Sequence, residues 1–263
     1  MVNVGVVGYG SMGAAIVGHL LGAGHEVRVF DLDSDRVKVA RAGGVRLAVD
    51  VEELAGWSEV ALILVGSEEG VRALVDDEGP FARTGEAIVC VLSTVSPSLL
   101  RRTRGLASAG RLVDAPVCRA LEGAKTGTLL GVLSGPFEAI VRIRELFGVF
   151  CSDLWCVSER LGDAQVVKTI NNVILWGAFM VTEEALEMAR AEGIDIGNLK
   201  STLATSSADS WALRHFDKAS ELRWSKKDMT IATNLADTLD GPFPLIRLVG
   251  GLVRSSKYLG HAT

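Results

Sequence analysis

Short apolar runs alternate with amphipathic stretches through the first half of the chain. The runs cover residues 2–7, 27–30, 60–65, 87–92, 112–115 and 128–133, with a weaker one near Trp155. Between them, stretches such as residues 12–23 and 34–42 carry apolar side chains at three-to-four spacing, which predicts helices with one buried face. Strands alternating with helices predict βαβ units and a parallel sheet covered on both faces. The pattern changes after Leu161. No proline occurs between Pro136 and Pro242, and Val166, Ile170, Val173, Ile174, Gly177, Val181, Ala185 and Met188 fall on one helix face. That helix, ending near Gly193, would be about 30 residues long, more than a small domain needs to cross its own core. It is expected to join the two halves. Further helical patterns begin at Leu199 and Ser210 and run over residues 225–239 and 243–258. The expected division is an α/β domain over residues 1–160 and an all-α domain over 161–263, with no internal repeat.

Composition narrows the function classes. With 48% hydrophobic residues in 263, the chain can build a sizeable core. A net charge of -5 and the lack of any Lys/Arg-rich run argue against nucleic acid or an anionic membrane surface as partner. From the strand-like run beginning at Val2, no cleavable signal is expected. The longest apolar stretch, residues 173–181, is far below the ~20 residues that span a bilayer. Cys90, Cys118, Cys151 and Cys156 form no CxxC pair and have no histidine at ligand spacing. They read as mostly buried thiols in a reducing cytoplasm, with no metal site.

Gly8-Tyr9-Gly10-Ser11-Met12-Gly13 lies between the first strand and the first helix. Gly8 suits a tight turn, Gly10 lets backbone approach a pyrophosphate, and Gly13 lets helix pack closely on strand. The helix start would turn free N–H groups and a positive dipole end toward the phosphates. Asp31 ends the second strand about 20 residues on, where a carboxylate accepts hydrogen bonds from the adenosine ribose and repels a 2′-phosphate. Asp33 and Asp35 deepen the negative field. Arg36 is the one residue favouring NADP, and it is expected to be a solvated residue of the next helix. Strand, glycine turn, helix and acid together predict a Rossmann-type doubly wound sheet that binds NAD in preference to NADP.

Four blocks in order give the chain a resemblance to the β-hydroxyacid (3-hydroxyisobutyrate) dehydrogenases. They are residues 6–13 with Ala-Gly-His-Glu-Val at 23–27; Leu-Ser-Thr-Val-Ser-Pro at 92–97; Asp-Ala-Pro-Val at 114–117 with Gly-Thr-Leu at 127–129; and Gly162 through Lys168 to Asn171-Asn172, with Lys227-Asp228-Met229 further on. The resemblance implies that Lys168 is the catalytic lysine and Asn172 the substrate-binding asparagine. A spacing of four puts both on one helix face, independently of the family. It also implies that Thr94 lies near the nicotinamide and that Lys227 and Asp228 approach the site from the helical domain. The implied reaction is hydride transfer between NAD(H) and a small anionic β-hydroxyacid or its carbonyl counterpart, in a cleft between the domains of a homodimer or higher homo-oligomer. Imine reductases share the fold but usually carry another residue where Lys168 stands, and a noncatalytic dinucleotide-binding protein is the alternative from another class.

Three departures from the family matter. Its Ser-Gly-Gly loop, which contacts the substrate carboxylate, is here Cys118-Arg119-Ala120. The second glycine of the block before the lysine is Ala164, and many relatives continue for another helix past the position of Thr263. Arg119 adds a planar cationic fork suited to an oxyanion, a carboxylate or a sulfonate or phosphonate. Its alternative is to turn outward and pair with Glu122 or another surface acid.

Overall fold

The computed structural model describes residues 1–256 and Leu259. Strands β1 (Asn3–Val7), β2 (Glu26–Phe30), β3 (Arg46–Leu47), β4 (Val60–Ile63), β5 (Ile88–Val91) and β6 (Leu112–Asp114) pair in parallel in the order β3-β2-β1-β4-β5-β6. This is the doubly wound order, and its direction reverses between β1 and β4. Beyond β6, the strands β7 (Val117–Cys118) and β8 (Leu129–Ser134) add antiparallel pairings, and β9 (Cys151–Ser158) runs parallel to β8.

The helices that cover the sheet are α1 (Ser11–Gly22), α2 (Ser34–Ala42), α3 (Val51–Trp57), α4 (Glu68–Val75), α5 (Pro80–Arg83), α6 (Pro97–Arg102), α7 (Gly105–Ser108), α8 (Ala120–Thr126) and α9 (Phe137–Phe147). Successive strand residues point to opposite faces. Val4, Val6 and Leu62 therefore join Ile16 and Leu20 of α1 in one core, while Val7, Ile63 and Val89 join Leu54 and Phe81 in the other. Burial on both faces is why β4 and β5 read as unbroken apolar runs. The two-residue strands β3 and β7 are too short to leave a periodic signal. The weak run at Trp155 belongs to an eight-residue strand whose side chains are mostly solvated, Trp155 itself being 66% exposed.

The chain forms two compact units, Met1–Lys168 and the residues from Thr169 on. Helix α10 (Asp163–Ala191) is 29 residues long and passes from one into the other. Its apolar stripe is present but is not its buried face: Ile170, Ile174, Val181 and Met188 are 54%, 68%, 70% and 71% exposed. The buried face carries Gln165, Thr169 and Asn172, then Trp176, Phe179 and Met180. The second unit continues with α11 (Ile196–Leu203), α12 (Trp211–Arg214), a 3-10 turn (Phe216–Glu221), α13 (Ser225–Asp237) and α14 (Pro244–Ser255). Trp176, Phe179, Met180, Phe216, Met229 and Val253 form its core. The expected continuation of the last helix to residue 258 lies outside the described residues. Among the described residues no helix is long and apolar enough to cross a membrane, and no cluster of His, Cys, Asp or Glu could hold a metal ion.

Candidate active site

The turn after β1 is shaped by what its glycines permit. Gly8 has φ +103°, and a Cβ added there would fall 2.4 Å from the Leu64 carbonyl oxygen after β4. A Cβ at Gly13 would fall 2.1 Å from the Gly8 carbonyl oxygen, so α1 packs directly on the turn. At Gly10, by contrast, a Cβ would meet only the Arg36 guanidinium, 3.7 Å away. The helix begins at Ser11 and Met12 with no side-chain cap bond and no acid in its first turn, as an anion site requires. The cradle thus has the backbone shape and polarity to take a dinucleotide pyrophosphate.

Asp31 follows β2 directly and lies beside this turn. Its carboxylate accepts hydrogen bonds from the Tyr9 N–H at 2.6 Å and the Asp33 N–H at 2.9 Å. The cleft beside it is lined by Phe30, Val37, Arg41 and Val49. Arg36 is half-exposed, as expected of a helix surface residue, yet it is not simply solvated. Its guanidinium reaches back to 3.5 Å from Asp31 and 3.3 Å from Asp33, since the cluster of acids at the start of α2 draws it in.

Lys168, in the second turn of α10, is partly buried and places Nζ 3.8 Å from the buried Cys118 Sγ. Thr94 is half-buried in the loop after β5, whose neighbour Ser93 donates its hydroxyl to the Val65 carbonyl at 2.8 Å. Arg119 and Ala120 have φ +82° and +52°, in the left-handed region that favours glycine, the residue the family resemblance implies at both positions. An L side chain there costs about 1 kcal/mol per residue. The Arg119 Nη1 group is held by the Thr128 carbonyl at 3.0 Å, Ser152 Oγ at 2.8 Å and Asp153 Oδ2 at 2.7 Å. A surface acid, Asp153, pairs with Arg119, and the hydrogen bond from Arg119 holds the Asp153 carboxyl below the usual carboxylate range.

In the second unit, Asn172 is buried one helical turn after Lys168, and its Oδ1 accepts from Asn171 Nδ2 at 3.0 Å. Asp228 is buried and accepts from the Trp176 indole N–H at 3.1 Å, while Lys227 Nζ lies 5.6 Å from the Trp224 ring centre. Sequence reasoning gave no role to Asp114, Gln165 or Trp176. The signal for the first was a carboxylate inside an otherwise apolar run, Leu112 to Ala115. Asp114 is fully buried, and burial pushes its pKa up to about 7 against the pull of hydrogen bonds from Gln165, Ser134 and Gly162.

Comparison with known proteins identifies the family. Residues 3–162 match the NAD binding domain of 6-phosphogluconate dehydrogenase, and residues 162–262 match the NAD-binding model of NADP-dependent 3-hydroxyisobutyrate dehydrogenase. A 3-hydroxyisobutyrate dehydrogenase of Pseudomonas aeruginosa is 30% identical over 82% of this chain and 74% of its own. An NAD-dependent L-serine dehydrogenase of the same organism shows the same identity and coverage. A solved structure of Psf3 in complex with NADP+ and 2-OPP superposes with a TM-score of 0.85 at 24% identity, covering 98% of this chain and 96% of the other. With a Rossmann unit that carries the dinucleotide motif and a helical unit that follows it, the chain belongs to the β-hydroxyacid dehydrogenase family and is an oxidoreductase of the nicotinamide-dependent, 3-hydroxyisobutyrate dehydrogenase-like type.

Proposed function

We propose that the protein oxidises a small anionic β-hydroxyacid, or reduces its carbonyl counterpart, with Lys168 as general acid–base. The observation that carries this reading is Lys168 itself, partly buried one turn before the buried amide of Asn172 and touching Cys118. Gly8, Gly10, Ser11, Met12, Gly13 and Asp31 would hold the dinucleotide, with Thr94 and Lys227 completing its contacts. The bound nicotinamide supplies the hydride acceptor or donor. In oxidation Lys168 Nζ takes the hydroxyl proton while Asn172 orients the oxygen, and in reduction Nζ returns the proton. Cys118, Arg119, Ala120 and Asp228 are the proposed substrate contacts on the family resemblance, with the anion read at Arg119. NAD is the preferred cofactor. Cytoplasmic placement is supported by the free buried thiols of Cys90, Cys118 and Cys151, which persist in a reducing compartment.

The test is a panel of 3-hydroxyisobutyrate, L-serine and uncharged short alcohols, with cyclic imines alongside, followed by nicotinamide absorbance. Oxidation of at least one hydroxyacid is expected, and imine reduction without it would overturn the reading. Arg119→Gly belongs in the same panel. Glycine accepts the positive φ, and the losses are an exposed ion pair and two exposed hydrogen bonds, so folding should be little affected. Because Asp153 competes for the guanidinium, KM for the acid should rise by about tenfold while the alcohols stay unchanged. An equal change in both classes removes Arg119 from substrate reading.

Homo-oligomerisation is supported by the exposed stripe of Ile170, Ile174, Val181 and Met188 along α10. Sedimentation should give a dimer or larger species, and Ile174→Glu with Val181→Glu should shift it toward monomer. A wild-type monomer would sink the proposal.

A further inference from the structure

Three buried polar side chains of the first unit sit together without a place in the proposed reaction. Gln165, in the first turn of α10, has no exposed surface. Its Nε2 donates to the Ser93 carbonyl at 3.1 Å and to Asp114 Oδ1 at 2.9 Å, while its Oε1 accepts from the Val95 N–H at 3.1 Å. The carboxamide thus grips the residues on both sides of Thr94. Asp114 Oδ2, at the end of β6, accepts from the Gly162 and Gln165 N–H groups and from Ser134 Oγ, each at 3.1 Å. The Ala164 N–H completes the set by donating to Ser134 Oγ at 3.1 Å.

Helices leave the N–H groups of their first turn unpaired unless a cap or water meets them. The usual cap is local and solvated. Here the cap is a buried carboxylate and a buried hydroxyl on two different strands, so the start of α10 is fixed to the sheet and not merely finished. Every group around Asp114 in this network is a donor, and no acceptor waits for a proton of its own. A Cβ at Gly162 would fall 2.6 Å from the Pro97 carbonyl, so the helix start also lies hard against the first residue of α6. Lys168 follows Gln165 by three residues in the same continuous helix, which leaves little freedom between the grip and the amine.

We propose that Gln165 is a positioning residue, whose carboxamide clasps the Ser93–Val95 loop and the Asp114 carboxylate together and so fixes Lys168 relative to the loop that carries Thr94. This role rests on the reading of Lys168 as the proton-transfer group. It assigns Gln165 no chemistry. Its effect is to keep the amine in one place while the substrate reacts, where small displacements carry large rate losses.

Two variants test it. Gln165→Met keeps the length and removes all three hydrogen bonds. It should lower kcat for 3-hydroxyisobutyrate or L-serine by about 30-fold or more with NAD, with the dissociation constant for NADH, read by fluorescence, changed less than threefold. Amide exchange in residues 93–96 and 162–168 should accelerate at least tenfold, with β1 and α9 unchanged. Gln165→Glu provides a conditional rescue. A carboxyl buried beside Asp114 shares a proton with it toward neutral pH, and in that form its single O–H restores one of the amide's two donated bonds. The variant should regain part of the lost kcat at pH 6 and none of it at pH 9, after division by the wild-type profile. Unchanged kcat in Gln165→Met, or unchanged exchange in residues 162–168, overturns the clasp. So does a Gln165→Glu profile parallel to wild type. Should the wild type oxidise neither substrate, the proposed activity falls, and the exchange measurement still decides whether Gln165 fixes the helix start.

Discussion

Lys168→Met should lower kcat by roughly 10²-fold or more, the usual loss when a general acid–base is removed. Methionine matches the lysine stem in length and can keep the packing against Cys118, where Nζ now lies 3.8 Å from the sulfur. The fold should therefore survive, and the dissociation constant for NAD should change little, because the residues proposed to cradle the dinucleotide all lie elsewhere. Lys168→Arg separates charge from proton transfer. Arginine keeps the positive charge but does not give up its proton at any working pH, so it should be nearly as inactive as methionine. If it retained turnover, Lys168 would be acting as a fixed charge that binds the anion. Near wild-type turnover in Lys168→Met would remove the residue from the mechanism and take the positioning role of Gln165 with it.

The parts of the molecule that were legible in the sequence are those where one local rule dominates. β1, β4 and β5 are buried on both faces, so their apolar runs are continuous, and Gly8 and Gly13 stand where a side chain has no space. The long helix was legible for a similar reason, since nothing breaks residues 163 to 191. Its orientation was not. A stripe of Ile170, Ile174, Val181 and Met188 looks like a core face, whereas the face buried in this chain begins with Gln165, Thr169 and Asn172. Burial of those polar groups depends on partners far away in sequence, such as Ser93 and Asp114 for Gln165, and no periodicity encodes them. The same holds for Arg119. Its chemistry could be read from residue type, but its hold on Asp153 depends on β9 passing beside the loop after β7, and β9 itself left only a weak signal.

Cofactor choice should follow the balance of charge at the end of β2. Asp31 is nearly buried, with a side chain only 7% exposed, and its two oxygens are occupied by the backbone N–H groups of Tyr9 and Asp33. A 2′-phosphate placed beside it would bring a second anion into a partly desolvated pocket. Arg36 offsets this but is shared between Asp31 and Asp33, and Lys38 is taken by Asp35 at 2.7 Å. Both cations are thus already engaged by the three carboxylates, and Arg41 lines the cleft beside Asp31. The wild type should therefore prefer NAD over NADP by roughly 10²-fold in kcat/KM, or about 3 kcal/mol. Leu32 is 91% exposed, so an arginine there costs no core packing and is free to reach a phosphate. Asp31→Asn with Leu32→Arg removes the repulsion, adds a bidentate partner, and should bring NADP to parity or better. Arg36→Ala in the wild-type background should move the other way, deepening the preference for NAD because nothing then neutralises Asp31. Both shifts are read from kcat/KM with each cofactor at saturating substrate. If the wild type uses NADP as well as NAD, and Arg36→Ala abolishes that use, the arginine drawn in by the acids is the phosphate reader and the assignment of Asp31 as an NAD selector fails.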